Sequence, residues 1–294
     1  MPAAAVDSQM GVVRTVKALR ARIDAWRSAG QSVGLVPTMG ALHDGHLSLV
    51  RRANALAGRT VASIFVNPAQ FAPHEDFGAY PRQEAHDLDL LQKAGCHLAY
   101  IPTREEMYPD DFQTAISVSG VSQGLCGASR PHFFGGVATV VCKLLNQARP
   151  DIAVFGEKDF QQLLVIRRMV KDLNMPVDII GGPIIRESDG LAMSSRNAYL
   201  SPDERAVAGR LNVIISAIAE KLAAGVGVDD ALAKGRQEIL DAGFSRIDYL
   251  DVRSADLLTP QGPGPIAGPS RVFVAVILGK TRLIDNWPAE ISAP

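Results

Sequence analysis

The sequence predicts an α/β fold, a Rossmann-like doubly wound parallel sheet followed by a smaller α+β domain. Three observations carry this. Short apolar runs recur through the first two thirds of the 294-residue chain, as expected of strands buried on both faces of a parallel sheet. Stretches with apolar residues at helical spacing separate them, giving a strand–helix–strand alternation. After Gly181-Gly182-Pro183 the order changes to helices followed by strands.

The predicted strands of the first part are Val33–Pro37, Val61–Val66, Cys96–Ile101, Ile152–Phe155 and Val177–Ile180. Between them, Leu42–Leu56 places Leu42, Leu49, Val50 and Ala53 at helical spacing. Glu84–Ala94 stops at Gly95, a residue suited to a helix C-terminal cap. Val137–Gln147 and Phe160–Leu173 complete the helices. Arg186–Tyr199 reads as a polar loop. Ser201-Pro202 then opens a helix running to about residue 224, with Ser201 as N-cap and Pro at the first helical position. A second helix is expected at Val228–Ala242, and strands at Ile247–Arg253 and Arg271–Leu278. Thr259–Ser270, rich in proline and glycine, is a loop. The domains are therefore expected at 1–182 and 183–294.

Thirty Lys and Arg face thirty-one Asp and Glu, and 47% of residues are hydrophobic. That balance excludes a disordered chain and argues against a nucleic-acid binder, which needs a basic excess. No apolar run approaches the roughly 18 residues of a membrane span, and the N-terminus lacks a secretion-signal pattern. Cys96, Cys126 and Cys142 have no metal-ligand spacing and fit a reducing, cytoplasmic setting.

The most informative segment is Pro37–His46, PTMGALHDGH, at the junction of the first predicted strand and helix. A helix N-terminus attracts phosphate through unpaired N–H groups and partial positive charge. Gly40 and Gly45 permit close backbone approach. His43 and His46 can donate hydrogen bonds to phosphate oxygens as a leaving group forms; zinc binding and two incidental surface histidines are the other readings of the pair. Neither a Walker loop nor a G-x-G-x-x-G after the first strand occurs. Asn67 and Gln70, after the second strand, suit carboxylate and hydroxyl recognition, or form a plain Asn-Pro turn. In Gly156-Glu157-Lys158-Asp159, Lys158 can neutralise phosphate and Asp159 can accept from a ribose hydroxyl or cap the next helix. Gln162 falls one turn later. Met193-Ser194-Ser195-Arg196 is a phosphate clamp or a hydrophilic linker.

His-x-Gly-His resembles the signature of a nucleotidyltransferase superfamily that includes the class I aminoacyl-tRNA synthetases. PTMGALHDGH, SIFVNPAQF, YPR, GEKDFQQ, GLAMSSRN and LIDN, in that order between Val33 and Asn286, resemble the pantoate–β-alanine ligase family within it. The resemblance implies a Rossmann-type N-terminal domain, a C-terminal lid domain and a homodimer. It implies ATP, (R)-pantoate and β-alanine as substrates, Mg²⁺ as cofactor, and a pantoyl-adenylate intermediate. A related nucleotidyltransferase acting on another acid or phosphomonoester is the alternative. Carried over by motif, Met39, Gly40, Ala41, Leu42, His43, Asp44, Gly45 and His46 line the ATP site, with His46 as proton donor. Gly156, Glu157, Lys158 and Asp159 bind the nucleotide, Ile185 through its backbone, and Met193, Ser194, Ser195 and Arg196 close over the triphosphate. His43, His46, Lys158 and Arg196 form the catalytic set. Gln70 contacts pantoate and β-alanine, Gln162 contacts pantoate, and Asn67 and Arg130 lie on the substrate side. Asp87 matches a Mg²⁺-associated acidic position. One departure stands out: the family's Arg-Pro-x-His-Phe-x-Gly-Val reads Arg130-Pro131-His132-Phe133-Phe134-Gly135-Gly136-Val137 here, with Phe133 at the usual His position.

Overall fold

The computed structural model describes residues 10–72, 75 and 77–291. Contacts divide these into two compact units. The first comprises the chain up to Val118 with His132–Gly156 and Ile166–Gly182; the second comprises Ser119–Pro131, Glu157–Val165 and the chain from Pro183 onward. A boundary at residue 182 follows the last passage of the chain between units but leaves aside the two earlier stretches that pack with the second.

In chain order the elements are β1 (Gly11–Val13), α1 (Val16–Ser28), β2 (Val33–Thr38), α2 (Asp44–Leu56), β3 (Arg59–Ile64), α3 (Glu84–Lys93) and β4 (Leu98–Tyr100). There follow α4 (Arg104–Met107), α5 (Leu125–Ser129), α6 (Phe133–Ala148), β5 (Ile152–Gly156), α7 (Phe160–Asp172) and β6 (Asp178–Gly182). The remainder is α8 (Pro202–Ala208), α9 (Arg210–Ala223), α10 (Val228–Asp241), β7 (Arg246–Ser254), β8 (Ser270–Leu278) and β9 (Thr281–Ala289).

The first unit holds a six-stranded sheet of order β1-β4-β3-β2-β5-β6, parallel at every pairing. The chain runs outward from β2 through β3 to β4, then returns to β5 on the other side of β2. Right-handed crossovers put helices of opposite travel on opposite faces. Accordingly Leu49, Val50 and Ala53 of α2 and Leu91 of α3 share one core with Val36, Ala62, Ala99 and Val154, while α1 and α6 pack together. The reversal between β2 and β5 is a topological switch point, where open α/β sheets collect ligands beyond the strand C-termini. Thr38 and Gly156 end those two strands.

The second unit holds the antiparallel sheet β7-β8-β9. Leu211, Ile215 and Ile218 of α9 and Ala231 and Ile239 of α10 bury their apolar faces with Leu250, Val272, Val274 and Val276 of that sheet.

The predicted α/β class and smaller α+β domain are what the structure contains. Differences lie at element level. β1 and α1 precede the first predicted strand: β1 is three residues at a sheet edge, and α1 buries only Leu19 and Ile23 among arginines. The helix expected from Ser201 to about residue 224 breaks at Gly209, where an added Cβ would come within 2.6 Å of Asp189 Oδ2. Its start is as predicted, a capping box between Ser201 and Glu204 with Pro202 first. β9 carries Pro288, which argues against a strand interior but is tolerated at this edge.

Candidate active site

The loop from Thr38 to the start of α2 is fixed by its own polar groups. Thr38 Oγ1 donates to Ser63 O at 2.7 Å and accepts from Gly40 N at 3.2 Å. His43 is the N-cap of α2: its Nδ1 accepts from Gly45 N at 3.2 Å, while His46 Nδ1 accepts from His43 N at 3.4 Å. This is a reciprocal capping box built from two imidazoles instead of the usual hydroxyl and carboxylate. A nitrogen that accepts carries no proton, so this geometry assigns the proton of each neutral ring to Nε2. The rings lie 4.1 Å apart between centroids. Two N–H donors therefore stand at a helix N-terminus, beside the switch point.

Asp87 holds the loop from below. It is 1% exposed, and its Oδ2 accepts from Ala41 N at 2.9 Å and its Oδ1 from Leu42 N at 2.8 Å. Gly40 has φ +83° and Ala41 φ +50°. A Cβ on Gly40 would sit 2.9 Å from Asp87 Oδ2 and 3.2 Å from Ile64 Cγ2, so both the backbone angle and the space require glycine. Asp87, the residue matched to a Mg²⁺-associated position, thus has each carboxylate oxygen bonded to a loop amide in a buried position. Among the described residues no three His, Cys, Asp or Glu side chains converge as a metal site. Among the described residues, neither Asp87 nor the His43 and His46 pair belongs to such a cluster.

Asn67 and Gln70 flank the 3-10 turn Pro68–Gln70. Asn67 is 1% exposed and uses its amide fully. Its Oδ1 accepts from Tyr108 Oη at 2.8 Å and Ala69 N at 3.3 Å; its Nδ2 donates to Gln70 Oε1 at 3.0 Å and Gly136 O at 3.2 Å. Asn67 therefore orients Gln70, whose Nε2 lies 3.0 Å from Met39 Sδ. Burial pushes the Tyr108 hydroxyl up to about 12, keeping it a donor. Gly136 of α6 permits this arrangement, since a Cβ there would fall 2.2 Å from Ala69 O.

In the second unit, Glu157–Asp159 forms a 3-10 turn leading into α7. Lys158 is half-buried, and its ammonium has no hydrogen bond or ion pair among the described residues. The two glutamines that follow differ. Gln161 is buried, accepting from Cys126 N at 3.1 Å and donating to Val121 O at 3.1 Å and Gly124 O at 3.2 Å. Gln162 is half-buried and makes no side-chain hydrogen bond among the described residues. Arg130 is half-buried at the end of α5.

The expected loop at Arg186–Tyr199 has internal order. Met193 N donates to Ile185 O at 2.9 Å and Glu187 N to Leu191 O at 2.8 Å, closing a small hairpin. It brings Ile185 beside Met193. Ser194 Oγ then accepts from Arg196 N at 3.3 Å and caps the 3-10 turn Ser195–Tyr199. Asn197 Nδ2 donates to Glu187 Oε1 at 2.7 Å, tying turn to hairpin.

A profile of the pantoate–β-alanine ligase family matches residues 11–288. The chain belongs to the pantoate–β-alanine ligase family. It is 56% identical over 276 residues to a pantothenate synthetase of Caulobacter vibrioides, covering 94% of this chain and 97% of that one. Against the crystal structure of the Thermus thermophilus pantothenate synthetase the TM-score is 0.89 at 46% identity, covering 95% of this chain and 99% of the other. The Francisella tularensis pantoate–β-alanine ligase, complexed with β,γ-ATP and β-alanine, gives a TM-score of 0.80 at 32% identity over 95% and 97% of the two chains.

Within this ligase family, the departure at Phe133 has a structural reading. Phe133 is buried at the start of α6 and stacks edge-on against Phe134 with centroids 5.0 Å apart. His132, one place earlier, is exposed and makes no side-chain cap to the helix. The local roles of Asp87, Tyr108 and Gln161 escape a sequence reading, because each depends on contacts 35 or more positions away.

Proposed function

We propose that this chain condenses (R)-pantoate with β-alanine to pantothenate, using ATP and releasing AMP and pyrophosphate. A pantoate carboxylate oxygen attacks the α-phosphorus; the new P–O bond forms as the bond to pyrophosphate breaks. The β-alanine amine then attacks the acyl carbon, a C–N bond forms, AMP departs with the electrons of the C–O bond, and the amine loses a proton. No covalent enzyme intermediate is needed, and the residues act by positioning and charge stabilisation.

The observation that carries this reading is the two-histidine cap of α2, which assigns an Nε2 proton to each ring at a phosphate-attracting helix end. His46 donates toward the departing pyrophosphate and His43 to a phosphate oxygen. Met39–Gly45 line the nucleotide through backbone groups, and Gly156–Asp159 and Ile185 extend that contact. Lys158 and Arg196 supply positive charge, and Met193–Ser195 close over the triphosphate. Gln70 contacts both pantoate and β-alanine, and Gln162 and Arg130 contact the acid. That the Lys158 and Gln162 side chains have no hydrogen-bond or ion-pair partner among the described residues supports their roles. Asn67 serves through Gln70. Mg²⁺ enters on the triphosphate as part of the substrate, the way this ion is usually held in nucleotide sites. Residues 1–182 form the catalytic body and 183–294 the lid, in a cytoplasmic homodimer.

The test is direct. Purified protein with ATP, Mg²⁺, pantoate and β-alanine is expected to release AMP and pantothenate in equal amounts. With β-alanine omitted, it is expected to exchange pyrophosphate into ATP only when pantoate is present. Absence of pantoate-dependent exchange rejects the acid; exchange with some other acid favours a related nucleotidyltransferase.

A further inference from the structure

Leu283-Ile284-Asp285-Asn286 stands out in the sequence, yet no step above uses it. These residues lie in β9, the outer strand of the second unit's sheet. Asp285 is 4% exposed and Asn286 1%. Burying a carboxylate and an amide is costly unless each is hydrogen-bonded. Here each reaches toward a strip assigned to the nucleotide.

Asp285 pairs with Arg186 at two points, Nη1 to Oδ2 at 2.7 Å and Nη2 to Oδ1 at 3.0 Å. Arg186 Nη1 also donates to Gly190 O at 3.0 Å, and the guanidinium lies 4.9 Å from the Trp287 ring centroid. The hairpin joining Ile185 to Met193 is thereby fastened to β9.

Asn286 serves the other strip. Its Nδ2 donates to Glu157 O at 3.0 Å and to Lys158 O at 2.9 Å. Its Oδ1 accepts from Arg271, whose guanidinium lies over the Phe160 ring at 4.0 Å. Arg271 thus fixes which end of the amide faces the two carbonyls. Both carbonyls belong to the short turn that presents Lys158, and among the described residues the Lys158 ammonium has no partner of its own to set its direction.

We propose that Asn286 is a positioning residue for ATP, acting through Lys158 by holding the backbone of the Glu157–Asp159 turn. The inference rests on the reading of Lys158 as a phosphate-binding group. Asn286 itself touches no substrate.

The experiment is a double-mutant cycle on adenylation, followed as pyrophosphate release, with Asn286→Ala, Lys158→Ala and the double variant. Thermal unfolding is recorded for each. Asn286→Ala is expected to lower kcat/KM for ATP by about 10- to 100-fold, the scale of a misplaced catalytic contact. The KM for β-alanine is expected to stay within about twofold, because uniform binding of that substrate is untouched. In the Lys158→Ala background the same change is expected to cost no more than about threefold, since groups acting as one unit are non-additive. Should Asn286→Ala not fold, Arg271→Lys, which loosens the amide from its Oδ1 side, carries the same prediction in milder form. Losses that multiply in the double variant, or a lowered Tm with unchanged kinetics, overturn the inference while the ligase reading stands. A wild type that releases no pyrophosphate overturns both.

Discussion

At the scale of single residues, His46 has two duties that substitution can separate. Its Nδ1 completes the α2 cap, and its Nε2 is the proposed donor. His46→Ala removes both. It is expected to lower the adenylation rate by about two orders of magnitude or more, as loss of one oxyanion donor does. It should also destabilise the fold by about 0.5–2 kcal/mol, the usual cost of a lost cap. His46→Asn keeps a short acceptor at the cap but no distal N–H. It should recover much of the stability and little of the rate, as read by denaturant unfolding beside pyrophosphate release. Full recovery of the rate would remove His46 from the chemistry. Asp87 gives the complementary case. Asp87→Asn sets an amide N–H₂ against one of two backbone N–H donors, leaving buried groups unmatched at about 1–3 kcal/mol. The distorted loop should slow adenylation, and if the ion comes with the triphosphate, as proposed, half-saturation by Mg²⁺ should stay within about twofold. A tenfold or larger shift in the Mg²⁺ requirement would instead favour a metal-ligand role for Asp87.

At the scale of elements, periodicity made the buried parallel strands and their helices legible. Val33–Pro37, Ile152–Phe155 and Glu84–Ala94 lie within two residues of what the structure holds. Position at a strand–helix junction also made the His43 and His46 pair legible. What escaped were elements whose pattern is diluted or contradicted: the arginine-rich α1, the three-residue β1 and the proline-bearing β9. Hydrogen-bond partners escaped as well. Nothing local separates Gln161, spent on the Val121–Cys126 segment, from Gln162, or tells that Asp87 lies under a loop 45 positions earlier. The β3–β4 pairing adds a titration that sequence spacing does not reveal. His97 Nδ1 accepts from Thr60 N at 3.1 Å, and burial, then Arg59, lower its pKa below 6.5. A depressed folded pKa means the unfolded chain binds the proton first. The contribution is whole above pH 6.5 and is lost as pH falls through 6.5 toward the folded value. His97→Asn, which can accept the same bond without charging, should flatten this dependence. Melting curves at about pH 7.5 and pH 5 check it, and equal losses in wild type and variant count against the assignment.

At the scale of the whole molecule, the second unit is discontinuous in sequence, and its polar interior shows why. Three buried or half-buried groups of the β7–β9 sheet also find partners in Ser119–Pro131 and Glu157–Val165. Asn286 bonds the Glu157 and Lys158 carbonyls. Arg271, its guanidinium pKa lowered by burial, lies over Phe160. Arg282 keeps Asp248 at 2.7 Å but also lies 3.6 Å from Cys126 Sγ and 3.4 Å from Ser129 Oγ. A fragment of residues 183–294 retains the apolar core between α9, α10 and the sheet. It strands those groups, at about 1–3 kcal/mol for each buried donor left unmade. Against a typical domain stability of about 5–15 kcal/mol, that loss is a large share. The fragment is therefore expected to keep much of its secondary structure while losing cooperative unfolding. Its amides in β8 and β9 should exchange faster than in the full chain by about tenfold for every 1.4 kcal/mol lost. Urea unfolding followed by circular dichroism, with hydrogen exchange on both proteins, reads the difference. Protection in the isolated fragment equal to that in the full chain would mean that the two earlier stretches rest on this sheet without helping to hold it.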